Sequence, residues 1–280
     1  MLVSLKELVT DGYRNGYAIG AFNCLSLENV EGAVRAAEDL RSPIILQLAE
    51  VQFPYASPDK MIPLFLEAAR QSSVPIAVHL DHGLSFETCA KAIRLGVTSV
   101  MIDGSALPLE ENIHVTRDVV KMANAFGVDV EAELGKVGDT DSQENGMFPD
   151  TFTDVNDSIR YVKETGIVAL AISIGNLHGH YTATPELNIR RLKEIKNNNL
   201  IPLVLHGGSG TSISDFKECI HNGVSKINVA TAIQRHVTKR VREYFNNPDA
   251  GYIGMKHVIV EASREAVADH ILLFESNNKV

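Results

Sequence analysis

The sequence predicts a (β/α)8 TIM barrel with additional C-terminal helices, and three observations carry that expectation. Eight short apolar runs alternate with helix-like amphipathic stretches along the chain, the beat of parallel strands and crossover helices. The runs are rich in Val, Ile and Leu, as strands buried on both faces are. The units fill 280 residues, near the ~250 typical of this barrel. A doubly wound open sheet is the alternative. Its G-x-G-x-x-G fingerprint is missing after the first run.

In order, "YAIGAFN" (17–23) is the first strand, followed by a helix over 26–40. Ser26 and the acids Glu28 and Glu31 suit that helix's N-terminal end. Strand 2 is "PIILQLA" (43–49) with a helix near 59–72; strand 3 is "VPIAVHLDH" (74–82) with a helix near 86–95. Strand 4 is "TSVMIDG" (98–104), leading to a long helix near 109–126. "VDVEAEL" (128–134) is strand 5, and a helix near 154–165 follows the polar stretch 136–153. Strands 6 to 8 are "VALAISIG" (168–175), "IPLVLHG" (201–207) and "VSKINVA" (224–230). Their helices lie near 188–197, 213–222 and 231–245, and helix-like sequence fills 255–275. No linker or low-complexity segment interrupts the chain, so residues 1–280 read as one barrel domain. The polar segment 138–154 is long for a strand-to-helix loop, a length usually associated with function.

Composition narrows the function classes. A net charge of −9 with a pI near 5.6 offers no footprint for nucleic acid. No apolar run approaches the ~18 residues that span a bilayer, and the N-terminus lacks a signal-peptide apolar stretch. Cys24, Cys89 and Cys219 show no metal or disulfide spacing, so they read as reduced core residues of a cytoplasmic protein.

In such a barrel the chemistry sits at the C-terminal ends of the strands, and there this sequence is polar. Strand 3 ends in Asp81 and His82, strand 4 in Asp103 and strand 5 in Glu131 and Glu133. Strand 6 runs into "GNLHGHY" with His178 and His180; strand 7 ends in His206 and strand 8 in Asn228. Histidines from strands 3, 6 and 7 on one rim predict a metal site of three imidazoles with an open fourth position, as catalytic zinc favours. His79 shares a strand face with Asp81 and reads as a supporting barrel residue; between His178 and His180 the spacing does not decide. The turns "HGGSGTS" (206–212) and "NVAT" (228–231) follow strands 7 and 8 and enter helices. Their backbone N–H groups predict a phosphate site. A Lewis acid beside a phosphate cradle, with Asp81 placed to move a proton, is the logic of a metal-dependent aldolase.

Together "YAIGAFN", "HLDHG", "SVMIDGS", "VEAELGKVG", "GNLHGHY", "LHGGSG" and "KINVAT" resemble the class II, zinc-dependent ketose-bisphosphate aldolases, tagatose- or fructose-bisphosphate type, over nearly the whole chain. The resemblance implies that Asp81 is the catalytic proton donor and that His82, His178 and His206 hold one catalytic Zn2+. His178 is preferred to His180 because the family's metal histidine precedes a glycine. Asp103 and Glu133 match a second or alternative metal position, with support of the metal-binding histidines from outside as the equal alternative; an additional ion is either a second metal or a monovalent cation. Asn23, Gly179, Gly207, Gly208, Ser209, Asn228, Val229, Ala230 and Thr231 match the positions that bind the dihydroxyacetone phosphate portion. The implied reaction is reversible retro-aldol cleavage of a ketose 1,6-bisphosphate to dihydroxyacetone phosphate and glyceraldehyde 3-phosphate. Asp81 exchanges the C4 hydroxyl proton, and a group of the 138–154 loop protonates the enediolate; Asp139, Asp141 and Glu144 are the candidates. The phosphorylated sugar is the expected partner, in a homodimer or homotetramer without nucleic acid or membrane.

The chain departs from the family pattern at four places: "VGD" for "VGG" after strand 5, "DAGYIGM" (249–255) for the C-terminal arginine motif, Ser105–Ala106 after "MIDG", and Gln47 on strand 2. All four are expected to bear on the aldehyde-side pocket or lid. Three rivals follow. One is a class II aldolase joining dihydroxyacetone phosphate to a different aldehyde, giving a deoxy or acid sugar phosphate. Another is a non-catalytic barrel subunit of an aldolase complex. The third is a Schiff-base enzyme using Lys226.

Overall fold

The computed structural model describes residues 1–139, 152–179 and 186–280; of Asp139 and His178 the backbone alone is described. Eight parallel strands close into a barrel: β1 (Ile19–Asn23), β2 (Ile44–Ala49), β3 (Ile76–Gly83), β4 (Ser99–Ile102), β5 (Asp129–Leu134), β7 (Ala169–Ile172), β9 (Leu203–Leu205) and β10 (Val224–Val229). β1 closes the ring by pairing with both β2 and β10. The predicted eight-stranded barrel is therefore the observed one. A separate parallel pair, β6 (Gly138–Asp139) with β8 (Leu177–His178), lies in segments that the sequence predicts as loop.

Helices follow the strands at the expected places: α2 (Leu27–Asp39), α3 (Pro58–Gln71), α4 (Phe86–Leu95), α5 (Leu109–Ala125), α6 (Val155–Thr165), α7 (Ile189–Asn198), α8 (Ile213–His221), α9 (Thr231–Tyr244) and the long α10 (Tyr252–Leu273). Ser26, Ser85, Asp154 and Ser212 cap their helices through side-chain oxygens, satisfying N–H groups that no turn precedes.

Strand alternation sorts the core into two. Outward residues such as Leu46, Val78, Val100, Ile172 and Val229 form the shell beneath the helices. Inward residues Ile19, Ala21, Ile45, Ala77, Met101, Ala169, Ala171 and Val204 fill the lower barrel with Leu5, Leu8 and Val9. Those three belong to α1 (Leu5–Asn15), a helix the sequence reading did not assign. Its signals were local: Ser4 accepts from the Glu7 N–H, and Gly16 ends it at φ 71°. With the floor apolar and plugged, the polar inward residues are left for the upper end.

The α2–α10 contact permits a direct test. A Cβ on Gly32 would lie 2.5 Å from the Val260 carbonyl oxygen and 2.6 Å from the Ser263 Cβ. Alanine normally gains about 1 kcal/mol over glycine within a helix, but forcing α10 away costs about 1–3 kcal/mol. Gly32→Ala is therefore expected to lower the urea midpoint at constant slope; a raised midpoint would contradict this packing.

Candidate active site

Along β3 simple alternation aims Asp81 inward and would aim His82 outward. The pairing of β3 with β4 shifts register between Leu80 and Gly83, and His82 takes φ 44°. That left-handed conformation costs a non-glycine residue roughly 1 kcal/mol. It turns the imidazole back over the barrel mouth, so adjacent residues serve one site. His82 therefore lies within β3 at an irregularity, one residue before the strand's end at Gly83.

His82 Nε2 faces His206 Nδ1 at 2.9 Å. The far nitrogens are engaged by carboxylates: His82 Nδ1 with Asp103 Oδ2 at 2.7 Å and His206 Nε2 with Glu131 Oε1 at 2.9 Å. Those partners place a proton on each far nitrogen, so the two facing nitrogens are left to share one cation between them. Burial disfavours charge on His82, but Asp81 and the Asp103 hydrogen bond outweigh it and push the imidazole up to about 9. The pair thus attracts a cation, be it a proton or a metal ion.

Asp81 is buried and held by three amides. Asn23 Nδ2 donates to Oδ2 at 2.9 Å, Gln47 Nε2 to the same oxygen at 3.2 Å, and Asn228 Nδ2 to Oδ1 at 2.8 Å. Burial alone would raise its pKa; the charges of His82, His206 and Lys226, with the Asn23 hydrogen bond, hold it below the usual carboxylate range. Glu133 behaves oppositely: burial and the neighbouring Asp103 charge push it up to about 8. His79 lies deeper, fully buried against Ser99, as a supporting residue should.

A cavity of about 430 Å3 opens over this cluster. Of the residues singled out by sequence, Asn23, Asp81, His82, Asp103, Glu133, Gly179, His206, Gly207, Ser209, Asn228, Ala230 and Thr231 line it. Gly208 and Val229 do not. Val229 points outward into the helix-covered shell, and a Cβ on Gly208 would lie 3.0 Å from Ile227 Cγ2, so Gly208 answers a packing need. At α9 the cap position is Ala230, without a side-chain cap. The Ala232 N–H donates to Ser209 Oγ, and the positive end of the helix dipole opens on the cavity. The side chains of His178 and Asp139, and residues His180, Asp141 and Glu144, lie outside the described set.

A family model for fructose-bisphosphate aldolase class-II matches residues 3–279. The chain belongs to the class II fructose-bisphosphate aldolase family. It is 40% identical to a probable fructose-bisphosphate aldolase of Bacillus subtilis, with 99% of each chain covered. Among solved structures it is similar to the YdjI aldolase of Escherichia coli K12, with a TM-score of 0.91, 33% identity and 100% and 99% of the chains covered. A putative fructose-1,6-biphosphate aldolase from Coccidioides immitis gives 0.89 at 32% identity, covering 98% and 97%.

For a class II aldolase the donor set fits a divalent cation. Nitrogen and oxygen ligand atoms of Asp81, His82 and His206 lie within 4.8 Å of one another, and so do those of His82, Asp103 and Glu133. The imidazole nitrogens at 2.9 Å need to open only slightly toward the ~3.3 Å of two ligands on a tetrahedral ion with ~2.0–2.1 Å bonds. Glu133 Oε2 is buried without a hydrogen bond among the described residues, as a ligand awaiting a cation would be. No described helix is long and apolar enough to cross a membrane.

The structure also corrects one expectation about this aldolase. Gln47 does not line the described cavity; it sits beneath Asp81 and donates to Asn23 Oδ1 at 2.8 Å. Sequence reasoning also underrated Glu131 and Lys226. Both are fully buried, and a signal was present: a Lys and a Glu on buried strands must find one another or pay a large desolvation cost.

Proposed function

We propose that the chain is a metal-dependent aldolase cleaving a ketose 1,6-bisphosphate, of fructose or tagatose type, reversibly to dihydroxyacetone phosphate and glyceraldehyde 3-phosphate. The observation that carries this reading is the ionised, amide-held Asp81 beside the facing His82 and His206, in one cavity with the open N-terminus of α9. His82, His178 and His206 would hold one zinc ion, with Asp103 and Glu133 at a second or alternative position. When bound, the metal supplies a Lewis acid that stabilises enolate charge by several kcal/mol.

The protein's own groups do the rest. Backbone N–H groups of Gly207, Ser209, Ala230 and Thr231 bind the phosphate of the dihydroxyacetone portion and set its register, with Gly179 and Asn23 beside it. Asp81 accepts the C4 hydroxyl proton as the C3–C4 bond breaks and returns it in condensation, and a proton delivered to C3 by an acid of segment 138–154 completes dihydroxyacetone phosphate. Its three amide donors keep the carboxylate aimed, since a proton acceptor must reach the hydroxyl within hydrogen-bond distance.

One observation favours a second reading for the aldehyde half. Among the described residues lining the cavity Lys136 is the one lysine or arginine, and Val51, Leu84, Ala106 and Val137 add apolar wall. Segments 140–151 and 180–185 contain neither residue type. A non-phosphorylated aldehyde suits such a wall better than a second phosphate dianion. The test is condensation of dihydroxyacetone phosphate with a panel of phosphorylated and non-phosphorylated aldehydes, with zinc and with a chelator. Chelator-sensitive use of glyceraldehyde 3-phosphate supports the first reading; use of non-phosphorylated aldehydes alone supports the second. If nothing condenses in zinc, neither reading stands.

A further inference from the structure

Lys226 is fully buried on β10, beneath the cavity and out of reach of substrate. A lysine in the interior of a barrel is costly unless its ammonium is fully engaged. Here two contacts engage it. Nζ donates to Asn228 Oδ1 at 2.7 Å. It also stands 2.9 Å from Glu131 Oε2, an ion pair rather than an aligned hydrogen bond.

Each contact leads to a different working group. An amide side chain can present its oxygen or its nitrogen, and only its partners decide which. Because the ammonium offers donors alone, Asn228 must turn Oδ1 to Lys226, which leaves Nδ2 for Asp81 Oδ1 at 2.8 Å and His206 Nδ1 at 3.2 Å. On the other branch, the Glu131 carboxylate is balanced by Lys226 while its Oε1 takes the His206 Nε2 proton. That places the His206 lone pair on Nδ1, facing His82. Strand alternation makes the branching possible: Lys226 and Asn228 are two apart on one inward face, with Glu131 across the barrel.

We propose that Lys226 is a positioning residue that sets two groups at once, fixing the His206 tautomer through Glu131 and aiming the Asn228 amide at Asp81. The role differs from that of a Schiff-base lysine, because both contacts occupy the ammonium with acceptors and Lys226 does not line the cavity. The proposal rests on the metal-site reading above. Outer partners of metal-binding histidines typically account for 10–100-fold in metal affinity or activity.

The test uses Lys226→Met, which keeps the stem and removes the charge, and the double variant Lys226→Met/Glu131→Gln, which neutralises both members of the pair. Apo protein is titrated with Co2+ and Zn2+, the cobalt d–d spectrum is recorded, and kcat and KM for ketose bisphosphate cleavage are measured on zinc-loaded protein. We expect about tenfold or greater loss of metal affinity, a changed cobalt spectrum, and a fall in kcat with KM changed less than threefold. The KM is spared because the phosphate cradle lies on backbone N–H groups that Lys226 does not touch. If Lys226→Met fails to fold, the double variant carries the test. Wild-type affinity, spectrum and kcat in whichever variant folds would overturn the proposal. Failure of both to fold would also overturn it, since Lys226 would then serve stability. Wild-type protein that binds neither metal would instead sink the metal-site reading itself.

Discussion

Asp81→Ala is expected to retain zinc and lose cleavage, with kcat reduced about 10³-fold. Proton transfer by a positioned side chain contributes roughly 10²–10⁴-fold, so 10³ corresponds to about 4 kcal/mol of transition-state stabilisation. Metal is retained because the His82–His206 pair keeps its own carboxylate partners, Asp103 and Glu131. Fold is retained because the three amides that lose their acceptor, on Asn23, Gln47 and Asn228, stand at or just below the cavity, where water can replace the carboxylate. Metal content by elemental analysis, alongside steady-state cleavage, separates the two effects. Turnover near the wild-type rate would remove the proton-transfer assignment.

His206→Ala is expected to lose both metal and activity, and to cost stability as well. The deletion removes one imidazole of a pair 2.9 Å apart and leaves the buried Glu131 Oε1 without its donor. A buried acceptor deprived of its partner costs about 1–3 kcal/mol, more when it is charged. The variant should therefore purify with less than a tenth of the wild-type zinc and melt at lower temperature. Stoichiometric zinc in this variant would show that His206 is not a ligand. Asp81→Ala and His206→Ala thus differ in metal content, while both lose catalysis, and that contrast isolates chemistry from binding.

Much of the architecture was legible because burial on both faces writes Val, Ile and Leu runs into every barrel strand. The polar strand ends were legible for the complementary reason: an Asp, His or Glu closing an apolar run is expensive without a purpose. Asp81, His82, Asp103, Glu133, His206 and Asn228 all stand out on that ground, and all line one cavity. Helix α1 was missed because its apolar residues Leu5, Leu8 and Val9 plug the barrel floor instead of covering a strand, a packing partner that periodicity does not reveal. The side chain of Val229 faces the helix-covered shell, because alternation sends every second side chain to the opposite face, which a motif of sequence neighbours does not show.

The sequence by itself determined the barrel, the rim that carries the chemistry and the residue types gathered there. Those follow from local pattern and from the cost of burying charge. Only the tertiary structure decided how the groups use one another. It decided that an irregularity in β3 turns His82 beside Asp81, and that Gln47 lies below the site instead of in its wall. It also joined Lys226 and Glu131 across the barrel into a pair that serves His206 and Asn228. The physical reason is that ring closure sets which inward side chains meet. Closure depends on strand register, and register belongs to pairs of strands rather than to any one segment.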